Sequence, residues 1–390
     1  MIDDDDTKTR LEKVINESRE TQHTNSTGCG ANQSINHKNN NGHRNPWLTG
    51  VLSLIVGTFG QTSVYPDVSS SYLGAGDPGV SYLPSYLGLK LHLRCYSNVT
   101  TANQNGPIAL FDAGLPFFST AWVSVIPAVL TNMPAWNISK ACFMDRYGYG
   151  WSDASLYPIT TQDYVFRLHG SLQVAGLTGK KYVLVGWSWG SIFVQAFSLA
   201  YPKEVVGILT ADGTDSRWGF ISSNQQAIIT YTNTYTNLMT QNSMDTLEPR
   251  CRNGEIGLGY GWFPDPLVSA GYTSESIVSS QDIFLTNKYL KTAIQEYNIM
   301  VISSALLNFT YVLKGSTLKD LPYVNIYEAY DPDWQSRQLY MTSLSSNSAA
   351  YLYTTDHFFP FTNSPAIVSG LTALTQRIAT TPGVLWANGF

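Results

Sequence analysis

The stretch over residues 181–197 constrains the fold of this chain more than any other. Lys181-Tyr-Val-Leu-Val185 has the length and the apolar content of a buried strand, and Gly186-Trp-Ser-Trp-Gly190 follows it without a spacer. Ser191 then opens an apolar segment with a helical pattern. A buried strand that turns directly into a helix is typical of an alternating architecture, in which helices cover both faces of a mostly parallel sheet.

The same alternation continues on both sides of this stretch. Predicted strands cover residues 89–93, 108–111, 141–144, 182–185, 205–210, 323–327 and 349–353. Predicted helices cover residues 121–130, 160–176 and 191–201 and a final segment that Ser364-Pro365 opens. Such an α/β sheet carries its chemistry at the carboxyl ends of the strands, so side chains just after these strands are the first candidates for function.

Gly186-Trp187-Ser188-Trp189-Gly190 fits the pattern Gly-x-Ser-x-Gly in the strand–turn–helix context that a nucleophile elbow requires. The turn would hold Ser188 in a strained conformation, and side chains at Gly186 or Gly190 would collide with the crossing helix and strand. The alternative is a glycine-flanked serine that only turns a corner. The context favours a nucleophilic Ser188.

A nucleophilic serine needs a base, and the chain offers six histidines. Three of them lie in the polar N-terminal segment, and His92 lies within a predicted strand. His169 lies within a predicted helix, where a structural role is expected. His357 lies in the loop between the last strand and the last helix, from which it could reach Ser188. The sequence therefore predicts His357 as the base, with His169 as the alternative.

Four acidic residues could orient the histidine. Asp331 follows the strand near residue 327 and is the predicted acid, while Asp212, Glu328 and Asp333 are the alternatives. The resulting order of nucleophile, acid and base along the chain, Ser188, Asp331 and His357, is the order of the α/β-hydrolases.

The chain resembles the α/β-hydrolase superfamily, in particular its single-domain bacterial hydrolases. The resemblance runs from about Leu89 to the last helix and rests on the elbow, on the acid and base, and on two further segments. These segments are Phe111-Asp-Ala-Gly-Leu-Pro116 and Met144-Asp-Arg-Tyr-Gly-Tyr-Gly-Trp-Ser-Asp153. It implies an α/β-hydrolase domain over 88–390 with a mostly parallel central sheet, helices on both faces and a helical cap insert over 214–318.

The resemblance also implies roles for residues around the elbow. The backbone N–H groups of Leu115 and Trp189 are the expected oxyanion donors, with Gly114 as the alternative to Leu115. Two departures from the common pattern stand nearby, since Asp112-Ala113 replaces a frequent His-Gly and Trp187 replaces a frequent His. A disulfide between Cys95 and Cys142 is a further implication, and two buried thiols are the alternative.

Residues 289–313 of the cap insert have a helical pattern with many apolar side chains. These residues either pack the cap against the core or line an apolar acyl pocket together with Trp187 and Trp189. The apolar positions in question are Ile294, Ile299, Val301, Ile302, Leu306 and Leu307.

The predicted function is a serine hydrolase of the carboxylesterase or lipase type that forms an acyl-enzyme and needs no cofactor or metal. Peptidase, thioesterase or perhydrolase activity on the same triad, and a non-catalytic binding domain of this fold, are the alternatives. Serine in place of aspartate at the nucleophile position argues against epoxide-hydrolase chemistry. A net charge of -5 argues against nucleic acid as a partner, and the oligomeric state stays open.

The N-terminal part has a different composition. Charged residues make up 13 of the first 46 positions but only 38 of the remaining 344, which predicts a disordered polar tail over 1–46. Residues 47–66 are uncharged and partly apolar, and we expect a membrane signal-anchor with a cytoplasmic N-terminus and a luminal or extracellular body. A core helix and a cleaved leader are the alternatives. Residues 67–87 are rich in Ser, Gly, Pro and Tyr and predict a linker.

Overall fold

Continuous apolar runs build a central sheet in the part of the chain that the computed structural model describes, residues 72–252, 271–315, 317–328 and 331–381. The strands are β1 (Val80–Tyr82), β2 (Ser85–Tyr86), β3 (Leu89–Lys90), β4 (His92–Tyr96), β5 (Ile108–Asp112), β6 (Lys140–Asp145), β7 (Tyr182–Trp187), β8 (Val205–Ala211), β9 (Tyr323–Glu328) and β10 (Ser348–Tyr353). Strands β5, β7 and β8 are buried along their whole length, as parallel strands covered on both faces must be.

Eight of the described strands form one sheet in the order β1-β4-β6-β5-β7-β8-β9-β10. All pairs from β6 to β10 are parallel, whereas β1 and β4 are antiparallel to their neighbours. The short strands β2 and β3 form a separate hairpin. The predicted linker over 67–87 contains strand β1. The sequence does not reveal this strand, because three residues between Gly/Pro-rich turns are too few for a recognisable strand pattern.

Helices follow most of the parallel strands, as the alternating pattern predicts. They are α1 (Ile126–Asn132), α2 (Thr161–Val174), α3 (Gly190–Ala200), α4 (Ser222–Ser243), α5 (Leu247–Arg252), α6 (Ser274–Phe284), α7 (Asn287–Leu313), α8 (Pro332–Ser343), α9 (Phe359–Thr362) and α10 (Ser364–Thr380), with 3-10 turns at Ser119–Trp122 and Trp218–Phe220. Several begin at a side chain that accepts a backbone N–H. Thr160, Thr286 and Asn363 fill this N-cap position for α2, α7 and α10.

Helices α4 to α7 lie between β8 and β9 along the chain, where the sequence predicts the cap insert. Aromatic contacts join α4 to α7, including a stacked pair of Tyr231 and Tyr297 with ring centroids 5.1 Å apart. Helix α7 is also bonded to the core near both ends. Lys288 Nζ donates to the carbonyl oxygen of Gly150 at 2.7 Å, and Tyr311 Oη donates to Gln195 Oε1 at 2.9 Å.

Strands β4 and β6 are joined covalently. Cys95 and Cys142 face each other in the antiparallel register and form a disulfide. Both residues are buried, Cys95 with 1% and Cys142 with 0% of their surface exposed. The bridge ties the antiparallel edge of the sheet to its parallel centre.

The described residues include no helix that is both long enough and apolar enough to cross a bilayer. The predicted tail over 1–46 and the predicted anchor over 47–66 lie outside the described residues. The anchor therefore stays a prediction, which alkaline extraction of membranes would test.

Replacing both bridged cysteines, Cys95→Ala with Cys142→Ala, is expected to lower the free energy of unfolding by about 3–4 kcal/mol, since the bridge closes a long loop in the unfolded chain. Urea denaturation of the variant and the wild type measures the difference. Because the bridge is buried in the native protein, wild type unfolded and refolded in reductant is the matched control and should match the variant. Equal midpoints with and without reductant would show that the bridge adds nothing to stability.

Candidate active site

Ser188 lies in the sharp turn between β7 and α3, with a positive φ of 53°. Both flanking glycines are required by close backbone contacts. A Cβ at Gly186 would lie 2.8 Å from the carbonyl oxygen of Gly190, and a Cβ at Gly190 would lie 2.3 Å from the carbonyl oxygen of Asp112. A left-handed non-glycine residue costs on the order of 1–3 kcal/mol, and such strain persists only where the surroundings enforce it.

His357 reaches Ser188 from the loop between β10 and α9. Its Nε2 lies 2.8 Å from Ser188 Oγ. The indole Nε1 of Trp187 donates to the backbone oxygen of His357 at 2.8 Å, which fixes this loop against the elbow. The imidazole side chain is 33% exposed, so a substrate and water can approach it.

Asp212 completes this hydrogen-bonded chain. It follows β8 directly, with a φ of 46°, and its Oδ2 lies 2.5 Å from His357 Nδ1. Its Oδ1 accepts the indole N–H of Trp334 at 2.7 Å and the backbone N–H of Glu328 at 3.2 Å. The carboxylate is fully buried, and three donors satisfy it.

The assignment of Asp331 as the orienting acid is wrong in this geometry. Asp331 caps helix α8, and its Oδ1 accepts the backbone N–H of Asp333 at 2.8 Å. Strands β8 and β9 are parallel neighbours, so the acids that follow them lie at the same edge of the sheet. The sequence does not show whether Asp212 or Asp331 accepts the hydrogen bond from His357. Asp212 carried a usable signal, since it follows its strand as directly as Ser188 follows β7.

The loop after β5 closes the other side of Ser188. A Cβ at Gly114 would lie 2.8 Å from Ser188 Cβ, so this loop packs directly against Ser188. Leu115 and Trp189 both line the cavity in front of Ser188. Among the described residues neither of their backbone N–H groups donates to a protein acceptor, which leaves both available for a ligand oxygen.

The cavity in front of Ser188 has a volume of about 400 Å³. It is largely aromatic, and the described residues that line it include no Lys, Arg, Asp or Glu. The lining residues are Leu115, Pro116, Phe117, Trp187, Ser188, Trp189, Thr214, Trp218, Tyr231, Thr234, Tyr235, Leu238, Tyr297, Met300, Trp334, His357 and Phe358. A larger hollow of about 690 Å³ includes Lys181 and Lys203, at the opposite end of β7 from Ser188.

Trp187 and Trp189 line the cavity as the sequence anticipates, but helix α7 contributes Tyr297 and Met300 to it. None of the six aliphatic residues that the sequence singles out in α7 belongs to the lining. Leu307 is buried in the packing, whereas Ile302 is 53% exposed. The helix is apolar on several sides, so its pattern could not identify the side that faces the cavity.

No protein-family model matches the chain, and no curated protein matches it in sequence. Solved structures do match. An epoxide hydrolase candidate from Pseudomonas aeruginosa is 15% identical with a TM-score of 0.55, and the match covers 78% of this chain and 99% of that one. The chain has the α/β-hydrolase fold.

Two further structures support this fold assignment. A thermophilic esterase from Thermogutta terrifontis, solved with malate bound, is 15% identical with a TM-score of 0.52, over 77% of this chain and 99% of that one. The epoxide hydrolase CorEH is 16% identical with a TM-score of 0.52, over 76% of this chain and 96% of that one. The α/β-hydrolase fold agrees with the predicted fold class.

A second carboxyl group lies next to Asp212. Glu328 is the last residue of β9 and is 8% exposed. Burial raises the pKa of this carboxyl to about 7, and the nearby Asp212 carboxylate adds to the increase. Asp212, Glu328 and His357 bring oxygen and nitrogen atoms within 4.8 Å of one another, a spacing that could hold a cation. Because His357 Nδ1 already bonds to Asp212, the hydrogen-bonded arrangement accounts for the cluster.

Replacing the bonded acid, Asp212→Asn, is expected to slow modification of Ser188 by a fluorophosphonate about 10³–10⁴-fold. The carboxylate keeps the proton of His357 on Nδ1 and stabilises the imidazolium, and asparagine does neither. Asp331→Asn is the matched control, and asparagine is as good an N-cap as aspartate. Labelling rates of the purified variants measure both effects. Equal slowing in the two variants would argue against Asp212.

The raised pKa of Glu328 predicts a pH-dependent stability difference. Between about pH 4.5 and 7 the unfolded chain loses this proton while the folded chain keeps it, so wild type loses stability as pH rises. Glu328→Gln has no such proton to lose. The melting temperature of the variant minus that of wild type should therefore increase from pH 4.5 to 7 and stay constant above pH 7. Thermal unfolding across this range checks it, and an offset that is constant with pH would contradict it.

Proposed function

We propose that this chain is a serine hydrolase that cleaves carboxylic esters of apolar acids through an acyl-enzyme. One observation carries the proposal, namely the continuous chain from Ser188 Oγ through His357, at 2.8 Å, to Asp212, at 2.5 Å. A serine, a histidine and a buried carboxylate in this order form the arrangement that activates a hydroxyl for attack on a carbonyl carbon.

The geometry supports a specific division of roles. With Asp212 accepting the proton on His357 Nδ1, the Nε2 atom is free of hydrogen and accepts the Ser188 proton during attack. The Asp212 carboxylate then stabilises the imidazolium, which passes the proton to the leaving alcohol. Water enters by the same route and releases the acid.

The developing negative charge needs donors on the far side of the carbonyl. The N–H groups of Leu115 and Trp189 flank Ser188 and are the donors that we assign, while Gly114 N–H is the alternative on the first loop. Removing one such donor in comparable sites costs about 2.7–4 kcal/mol of transition-state stabilisation. The oxyanion hole therefore contributes on the same scale as the triad itself.

The cavity favours an uncharged substrate. Over the part of the chain that the structure describes, its aromatic wall offers no Lys, Arg, Asp or Glu that could bind a carboxylate or an ammonium group, and a volume of about 400 Å³ lies within the range of small-molecule pockets. An apolar acyl group would gain about 0.8 kcal/mol for each methylene that it buries. Peptidase, thioesterase and perhydrolase activities use the same triad, but the uncharged wall favours a neutral ester.

The proposal predicts that nitrophenyl hexanoate and decanoate are hydrolysed with a higher kcat/KM than nitrophenyl acetate. Ser188→Ala should lower kcat by about 10⁵–10⁶-fold and abolish labelling by a fluorophosphonate. Ser198→Ala, which removes a buried hydroxyl from helix α3 just after Ser188, is the matched control and should label like wild type. Labelling that persists in Ser188→Ala, or that is absent from wild type, would refute the proposal that the chain is a serine hydrolase with Ser188 as its nucleophile. Preference for acetate would refute the apolar substrate alone.

A further inference from the structure

A buried arginine holds the loop after β5, which carries one of the two proposed oxyanion donors, Leu115 N–H or its alternative Gly114 N–H. Arg146 follows β6 directly and is 4% exposed. Its Nη1 donates to Asp112 Oδ1 at 2.7 Å and to the carbonyl oxygen of Ala113 at 2.6 Å. Its Nη2 lies 3.4 Å from the carbonyl oxygen of Gly114. The guanidinium thus bonds to consecutive residues of the loop that touches Ser188.

These carbonyl contacts bear on the direction of the oxyanion donor in this loop. A peptide unit is planar, and in its trans form the C=O and the following N–H point in opposite directions. The Ala113 carbonyl shares its peptide unit with the Gly114 N–H, and the Gly114 carbonyl shares one with the Leu115 N–H. Arg146 binds the Ala113 carbonyl closely, and its longer contact to the Gly114 carbonyl adds to the bond that the Phe117 backbone N–H donates to that oxygen at 2.7 Å. Both candidate N–H groups therefore point away from the guanidinium.

The other edge of the same guanidinium belongs to the cap. Glu296 of helix α7 accepts from Arg146 Nε at 2.9 Å and from Nη2 at 3.2 Å, which is a bidentate pair. Glu296 is 9% exposed. Burial alone would lower the pKa of Arg146, but the carboxylates of Glu296 and Asp112 raise it above its usual value. The arginine therefore stays charged between the cap and the loop.

Other contacts attach α7 to the core without touching this loop. Lys288 donates to the carbonyl oxygens of Gly150 and Ser152, and Tyr311 donates to Gln195. The Glu296 contact is different, because its partner is the side chain that holds the oxyanion loop. The position of the cap helix and the orientation of the oxyanion donor in the loop after β5 are linked through one guanidinium.

We propose that Arg146 is a positioning residue for the oxyanion hole and that Glu296 makes this positioning depend on how helix α7 sits on the core. The inference rests on the proposed serine-hydrolase function, since it concerns the donors for that reaction. Arg146 acts through the loop backbone and does not touch the substrate.

Glu296→Gln tests the inference, because it keeps the shape of the side chain and removes its charge. We expect kcat for the ester to fall about 10- to 100-fold, less than the 10²–10³-fold lost when a donor is removed outright, with KM changed much less. Glu296→Asp, which keeps the charge, should be affected less than Glu296→Gln. Lys288→Met is the matched control, since it loosens the same helix elsewhere and should lower the melting temperature without lowering kcat.

A second readout separates positioning from general loss of structure. A thionoester places sulfur, a poor hydrogen-bond acceptor, where the ester places its oxygen, so it benefits little from the oxyanion donors. The ratio of ester to thionoester turnover should therefore shrink in Glu296→Gln and stay at the wild-type value in Lys288→Met.

Equal effects of Glu296→Gln and Lys288→Met on stability, with kcat and the turnover ratio both at wild-type values, would refute the dependence of the oxyanion donor on helix α7. Arg146→Lys tests the arginine itself and replaces Glu296→Gln if that variant does not fold, because lysine keeps the charge but cannot bond to Glu296 and to the loop carbonyls at once. Wild-type kcat and turnover ratio in Arg146→Lys would refute the positioning role. Wild type that neither labels with a fluorophosphonate nor turns over esters would instead refute the proposed function, and this inference with it.

Discussion

The site depends on the register of parallel strands whose carboxyl ends meet at one edge of the sheet. Asp112 of β5 pairs with Gly186 of β7, and Trp187 of β7 pairs with Ala211 of β8. The next residues along β7 and β8 are Ser188 and Asp212. A shift of one residue in any of these pairs would turn the side chains to the opposite face of the sheet.

Both key residues at this edge have a left-handed backbone, and the sheet enforces it. The backbone N–H of Ser188 donates to the carbonyl oxygen of Ala211 at 3.0 Å, and that of Asp212 donates to the carbonyl oxygen of Ile326 at 2.7 Å. Each strained residue is thus bonded to the neighbouring strand just where its own strand ends. Local strain of this kind is typical of sites in which a side chain must leave the sheet at a fixed angle.

Local pattern was sufficient for seven of the eight strands of the main sheet, for the turn at Ser188 and for the histidine that lies beside it, because each depends on neighbours in the sequence or on elimination among few histidines. It failed where the answer depends on packing between distant segments. Asp212 and Asp331 follow adjacent strands, and only the path of the histidine loop distinguishes them. Tyr297 likewise lines the cavity together with residues far away in the chain, and Arg146 bonds to the distant Glu296. The periodicity of a sequence segment carries no information on such contacts.

Helix α7 is bonded to the core near its start, its middle and its end, at Lys288, Glu296 and Tyr311. Because three bonds hold helix α7 on the core, the side of the helix that lines the cavity has little freedom to move when a ligand binds. The side chains that it presents to the cavity, Tyr297 and Met300, are therefore ordered before any substrate arrives. For the ester hydrolysis that we propose, binding against this wall would lose little conformational entropy of the protein, and selectivity among acyl groups would rest on shape complementarity and not on induced fit.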